Sequence, residues 1–334
     1  MITTDICIIG AGPVGLFAVF EAGLLKMRCH LVDALSQVGG QLSEIYPQKP
    51  IYDIPGFPSI QAQQLIDNLM EQIAPFKPGF TLSERVDSVN KLEGGGFVVQ
   101  THDDTIIQCK VIVIAGGLGC FEPRKPVIIG LEAFEGKGIS YFVKNPEIFR
   151  NRRVVLSGGG DSALDWAIFL APITSELTLV HRGETFRGAP DSADKVVEMA
   201  HNGQIRLLLE SQITEVAGNG HLQSLTISTK NNGVINLEAD HLIPLFGLTP
   251  KLGPIADWGL ALNKSAIEVN VDDYSTSTPG IFAIGDINSY TGKLKLILSG
   301  FHEAALMAQS AFKYVYPEQK LSFKYTTVNG VNAF

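Results

Sequence analysis

Gly10, Gly12 and Gly15 follow the apolar run 6–9, and Gly158, Gly160 and Ala163 follow the run 154–156 with the same spacing. Gly158 stands 148 residues after Gly10, so one chain carries one signature twice. Pro13 opens a helix-like stretch after the first copy, and Asp161-Ser162 open one after the second. A further strand-like run ends eighteen residues beyond each third small residue, at Asp33 and at His181. The first glycine of such a turn lets the chain leave a strand sharply. The second lets backbone approach a pyrophosphate, and the small third residue lets the helix pack close to the sheet. Unpaired N–H groups at the helix start, carrying about half a positive charge, then favour the anion. A chain with two such turns is built to hold two dinucleotides.

The predicted fold class is α/β, with two Rossmann-like (three-layer ββα) nucleotide-binding domains. At 334 residues the chain is long enough for both. Its hydrophobic content of 45% and charged content of 18% describe a packed globular protein. The net charge of −8, without a basic run, excludes nucleic acid as a general partner. The uncharged stretch 6–20 is broken by Gly10, Gly12, Pro13 and Gly15. It is shorter than the roughly 20 residues that cross a bilayer, and only Asp5 precedes it in place of a basic leader. The expectation is a soluble, cytoplasmic protein that does not associate with a membrane. The four cysteines, Cys7, Cys29, Cys109 and Cys120, include no C-x-x-C pair and no cluster with metal-ligand spacing. No metal site is expected.

Leu65, Leu69 and Ile73 recur at helical spacing ahead of Pro75. The runs Phe97–Thr101, 105–109 and 111–115 read as a β-meander. The plan recurs after the second signature, where Leu222–Thr229 and 234–237 flank Asn231-Asn232-Gly233 and precede the apolar run 242–246. Breaks near Pro123 and Gly247 place one domain at 120–246, inserted in another made of 1–119 and 247–334.

Asp33 can accept hydrogen bonds from ribose hydroxyls and would repel a 2′-phosphate, so the first site suits FAD or NADH. His181, Arg182 and Arg187 supply donors and positive charge at the matching place in the second, which suits NADPH.

The stretch Gly39-Gly40-Gln41-Leu42, Tyr46-Pro47, Lys49 and the run 51–58 resembles the thioredoxin-reductase-like ferredoxin–NADP reductases. So do Phe121, Pro123 and Arg124, the His181-Arg182 to Gly188 segment, and Ala283-Ile284-Gly285-Asp286. The resemblance spans essentially the whole chain. It implies FAD at Gly10, Gly12, Pro13, Gly15 and Asp33, with Gly40, Gln41, Gly285 and Asp286 toward the ribityl–isoalloxazine part. Val86 would meet adenine through its backbone, and Phe121 would pack on the cofactor. Tyr46 would stack on one isoalloxazine face and Tyr325 on the other, with Thr326 and Thr327 beside it. NADP(H) would lie on Gly158, Gly160, Asp161, Ser162 and Ala163, with its 2′-phosphate toward His181, Arg182 and Arg187. Gly183 departs from the pattern, standing where related thioredoxin reductases commonly carry an arginine.

Those reductases also hold a redox-active cysteine pair shortly before the second signature, whereas residues 140–145 here contain no sulfur. Electrons reaching the flavin then leave directly. A flavin accepts a hydride and releases single electrons, which suits a one-electron carrier protein. The resemblance therefore implies a ferredoxin (or flavodoxin)–NADP reductase, a homodimer, with no acid–base catalytic residue. The alternative is an NADPH-dependent flavin oxidoreductase with a small acceptor such as a quinone, dioxygen or a disulfide. A sensor that binds NADPH without turnover is a third reading. An acidic enzyme meeting an acidic carrier needs a local basic face, for which Arg124, Lys125, Lys293 and Lys295 are the candidates.

Overall fold

The computed structural model describes residues 1–230, 233–321 and 330–331, apart from the side chains of 120–122 and 248–250. The chain forms two compact units, Met1–Cys120 with Pro250–Phe334, and Phe121–Thr249. The expected breaks at 119/120 and 246/247 lie one and three residues earlier in the chain than these.

In the first unit a five-stranded parallel sheet runs in the order Ile281–Ala283, Val111–Ile114, Ile6–Ile9, Cys29–Asp33, Gly79–Leu82. Strands Ile281–Ala283, Val111–Ile114 and Ile6–Ile9 are apolar and buried at every position because both faces are covered. Alternation sorts the side chains between two cores. Ile6, Ile8, Val111, Val113 and Phe282 join the core under helices Pro13–Leu24, Ala62–Ile73 and Ile297–Val315. Cys7, Ile9, Ile112, Ile114 and Ala283 face a second core with Phe97, Val99 and Ile107. Each fully buried isoleucine contributes about 1.5–3 kcal/mol, so a one-residue slip of register would invert both layers.

The covering meander differs from the expected one. Its strands are Val86–Lys91, Phe97–Thr101 and Ile106–Cys109, antiparallel, with Ile2–Thr3 added in parallel at one edge. Val111–Ile114 is instead a central strand of the parallel sheet, pairing with Ile6–Ile9. Continuous burial of all four residues, against the alternation of Phe97–Thr101, is the physical distinction.

The second unit repeats the plan on a smaller scale. Its parallel sheet runs Arg206–Leu208, Glu176–Val180, Arg153–Gly158, His241–Leu245. Its meander is Ser211–Gly218, Leu222–Thr229 and Gly233–Glu238. Val155, Val180 and Leu242 pack from the sheet onto Ile213, Val216, Leu225 and Ile227 of the meander. As in the first unit, the last apolar run belongs to the parallel sheet and not to the meander.

No helix among the described residues is long and apolar enough to cross a membrane. Among the same residues no group of His, Cys, Asp or Glu could hold a metal ion.

Candidate functional sites

Strand Ile6–Ile9 ends at Gly10, whose φ of +111° is closed to other side chains without strain. A Cβ there would also stand 2.4 Å from the Ala115 carbonyl oxygen, and one on Gly15 would stand 2.0 Å from that of Gly10. Both glycines thus serve close backbone packing. Gly12 is different. It caps helix Pro13–Leu24 in an extended conformation, no side chain caps the helix, and an added Cβ would meet nothing within 4 Å. The helix start therefore presents its N–H donors over an open cradle.

Asp33 closes the far end of that cradle. Its Oδ2 accepts from the Ala11 N–H at 2.7 Å and its Oδ1 from the Leu35 N–H at 2.9 Å. Burial pushes its carboxyl above the usual range, and the two backbone donors only partly offset this. The Gly39 N–H donates to the Ala11 carbonyl at 2.8 Å, and the Cβ position of Gly40 lies 3.3 Å from the Gly12 Cα. Gln41 begins the short helix Gln41–Glu44, with its amide nitrogen 3.5 Å from the Cβ position of Gly117.

Asp286, 240 residues further along the chain, bears on Tyr46 electrostatically. The Tyr46 hydroxyl is pushed up to about 12, first by burial and then by the carboxylates of Asp286 and Asp53. Lys49 lies 5.5 Å from the Tyr46 ring centroid. Asp286 is itself raised by burial, against the pull of Lys295 and Lys293. Val86 begins its strand with a buried side chain in the meander core, so the polar atoms it offers are those of its backbone. Tyr325, Thr326 and Thr327 lie outside the described residues, as does the Phe121 side chain.

In the second unit Gly158 meets the Leu245 carbonyl, and Gly160 caps helix Asp161–Leu170 over open space. Ala163 is fully buried, while Asp161 and Ser162 are exposed in the first turn. Asp161 accepts from the Ala189 N–H at 2.7 Å, and the Arg187 N–H donates to the Gly159 carbonyl at 2.7 Å. These two bonds dock the 181–189 loop beside the glycine turn. Arg182 and Arg187 are exposed there.

His181 departs from its expected role. Only 6% exposed, its ring stacks on Phe186 at 5.3 Å and fills the space where a Cβ on Gly159 would lie 2.1 Å away. Its Nε2 donates to the Thr185 carbonyl at 3.0 Å. The histidine shapes the loop from beneath, which leaves Arg182 and Arg187 to present charge. A Cβ on Gly183 would press on the same ring at 2.9 Å, which accounts for glycine at that position.

Two residues of the expected basic face are engaged internally. Lys125 pairs with Glu135, which also accepts from the Tyr141 hydroxyl at 2.7 Å, in the region where the cysteine pair is missing. Lys293 is buried on Glu303. Arg124, Lys125 and Lys295 are exposed.

Sequence reasoning missed Glu303. It lies within the buried stripe Gly300, Glu303, Ala304, Met307, Ala308 and Ala311 of helix Ile297–Val315. An acidic residue at apolar helical spacing was the signal that could have found it.

Residues 4–308 match the pyridine nucleotide-disulphide oxidoreductase family, the class that two glycine turns on two three-layer units define. The ferredoxin–NADP reductase of Flavobacterium johnsoniae is 60% identical over 335 residues, covering 100% of this chain and 95% of that protein. Ferredoxin–NADP reductase 1 of Christiangramia forsetii is 58% identical over 337 residues, covering 100% and 96%. Thioredoxin reductases of Lactococcus lactis and T. acidophilum align with TM-scores of 0.79 and 0.80 at 26% and 25% identity, each over 94% of this chain and 99% of theirs. The chain belongs to the pyridine nucleotide-disulphide oxidoreductase family and, within it, to the ferredoxin–NADP reductases.

Proposed function

We propose that the unit Met1–Cys120 with Pro250–Phe334 holds FAD, that the unit Phe121–Thr249 holds NADPH, and that the chain exchanges electrons between NADPH and ferredoxin or flavodoxin. The observation that carries this reading is the pairing of two open glycine cradles with a sulfur-free segment at 140–145. Bound FAD supplies the conversion between a two-electron hydride and single electrons.

The chain's own residues fit these groups. The uncapped N–H donors behind Gly12 and Gly160 suit two pyrophosphates. Half-buried Asp33, with lone pairs left beyond its bonds from Ala11 and Leu35, suits a ribose diol. Gly40, Gln41, Gly285 and Asp286 bound the ribityl side, and half-buried Tyr46 offers a ring held by Lys49. Tyr46 keeps its proton at neutral pH and serves by shape and not by proton transfer. Arg182 and Arg187 receive the 2′-phosphate. A homodimer is part of the same proposal, checked by light scattering of the purified protein.

Anaerobic titration of the yellow protein tests the assignment. NADPH is expected to bleach the flavin band, and oxidised ferredoxin to restore it. NADPH-dependent cytochrome reduction that gains nothing from added ferredoxin would remove the carrier protein and favour a small acceptor.

Asp33→Asn provides a local check. An asparagine amide keeps one acceptor but turns an N–H₂ toward either Ala11 or Leu35, both of which donate. With the charge gone, the ribose hydroxyl loses its charge-assisted acceptor, about 1.5 kcal/mol, which raises the FAD Kd roughly tenfold. Flavin fluorescence titration of the apoprotein measures it, and an unchanged Kd removes Asp33 from the ribose site.

A further inference from the structure

Glu303 is 0% exposed, and burying a carboxylate costs several kcal/mol unless its lone pairs are matched. Here all are matched. Oε2 accepts from the Gly285 N–H at 2.6 Å and the Asn288 Nδ2 at 2.8 Å. Oε1 accepts from the Tyr290 hydroxyl at 2.9 Å and from Lys293 Nζ. Lys293, itself only 7% exposed, also lies 5.3 Å from the Tyr290 ring centroid. Every donor comes from one short segment, 285–293.

Helix packing does not require this arrangement. The neighbouring stripe residues are glycine, alanine and methionine, and a leucine would cover the sheet without a desolvation cost. What the carboxylate adds is direction. Gly285 turns the chain off strand Ile281–Ala283 at φ +77°, and its N–H opens a short 3₁₀ turn where no intrahelical partner exists. Asp286 follows directly. It is the second residue of that turn, so the backbone that Gly285 sets carries its carboxylate.

We propose that Glu303, neutralised by Lys293, is a positioning residue of the flavin site: its carboxylate fixes the Gly285 N–H and so presets the turn that presents Asp286. This rests on the reading of Gly285 and Asp286 as part of the FAD site. Tyr290 and Asn288 brace the same carboxylate, giving Asp286 the rigid support that a binding group needs.

Two charge-free pairs separate positioning from stability. Glu303→Gln with Lys293→Met keeps an acceptor for the Gly285 N–H and a donor for Tyr290, whereas Glu303→Leu with Lys293→Met removes both. Titrated with FAD as apoproteins, the glutamine pair is expected within about threefold of wild type and the leucine pair at least tenfold weaker, each read on apoprotein that still melts cooperatively. Equal FAD affinity in the two pairs overturns the proposal. Hydrogen exchange of wild-type apoprotein is a second measurement, independent of whether the leucine pair folds. Protection at 285–288 before FAD is added supports a preset turn, and protection that arises only with FAD overturns it. Wild-type apoprotein that takes up no FAD overturns the site reading itself, and this inference with it.

Discussion

The double variant Arg182→Ala/Arg187→Ala is expected to lose about 100-fold of its preference for NADPH over NADH. The two guanidiniums are exposed on the 181–189 loop, which is docked by the Asp161–Ala189 and Arg187–Gly159 bonds. Those bonds use the Asp161 carboxylate and the Arg187 backbone, so the substitutions leave the docking intact. A charge-assisted hydrogen bond contributes about 1.5–3 kcal/mol, and solvent screening puts exposed contacts at the low end. Two contacts then sum to about 3 kcal/mol, or two orders of magnitude. Since His181 is turned inward onto Phe186 and Thr185, it supplies no third donor to soften the loss. Steady-state kcat/KM with each nucleotide measures the effect. The NADPH value should fall while the NADH value holds; an equal fall for both would mean that the arginines do not read the 2′-phosphate.

Within one signature, alanine at Gly12 and at Gly15 should produce opposite failures. At Gly15 the new Cβ lies 2.0 Å from the Gly10 carbonyl oxygen, with backbone on both sides of the clash. Helix Pro13–Leu24 must move off the sheet, and overpacking of this kind costs about 1–3 kcal/mol or more. At Gly12 the backbone is already extended, at φ −73° and ψ −179°, and the Cβ enters open space. The Gly12→Ala protein should therefore melt as the wild-type apoprotein does, yet be purified colourless, because the methyl group occupies the approach of the pyrophosphate. Gly160→Ala repeats the experiment in the other unit and should remain yellow while failing to be reduced by NADPH. Melting curves and the flavin absorbance of each purified variant decide the matter. A yellow Gly12→Ala protein with wild-type FAD affinity would contradict the cradle.

These contrasts also mark how far sequence could carry the argument. The signature predicts a turn at Gly10, a pyrophosphate approach at Gly12 and close packing at Gly15, whereas the contacts of each absent Cβ, 2.4 Å at Gly10, 2.0 Å at Gly15 and none within 4 Å at Gly12, come only from the fold. Lys293 and Lys295 were indistinguishable as solvent-facing cations until one was found buried on a carboxylate ten residues further along the chain. The run 111–115 reads as part of the meander because its neighbours in sequence are meander strands. Its partners in space are Ile6–Ile9 and Ile281–Ala283, from the two ends of the first unit.

Local physics is what the amino-acid order determines unaided: strand, glycine turn, helix start, and the acid or base at the end of the next strand. Each depends on backbone geometry and charge within about thirty residues, so spacing predicts two dinucleotide folds and the residue types that end the next strand predict different nucleotides for them. Tertiary structure decided which ionisable groups remain in water. Glu303 with Lys293 and the inward ring of His181 owe their roles to burial, which is set by elements distant in sequence. The free energy of a charge or an imidazole changes by several kcal/mol between surface and core, and no pattern of neighbours in the chain records on which side of that boundary a residue will lie.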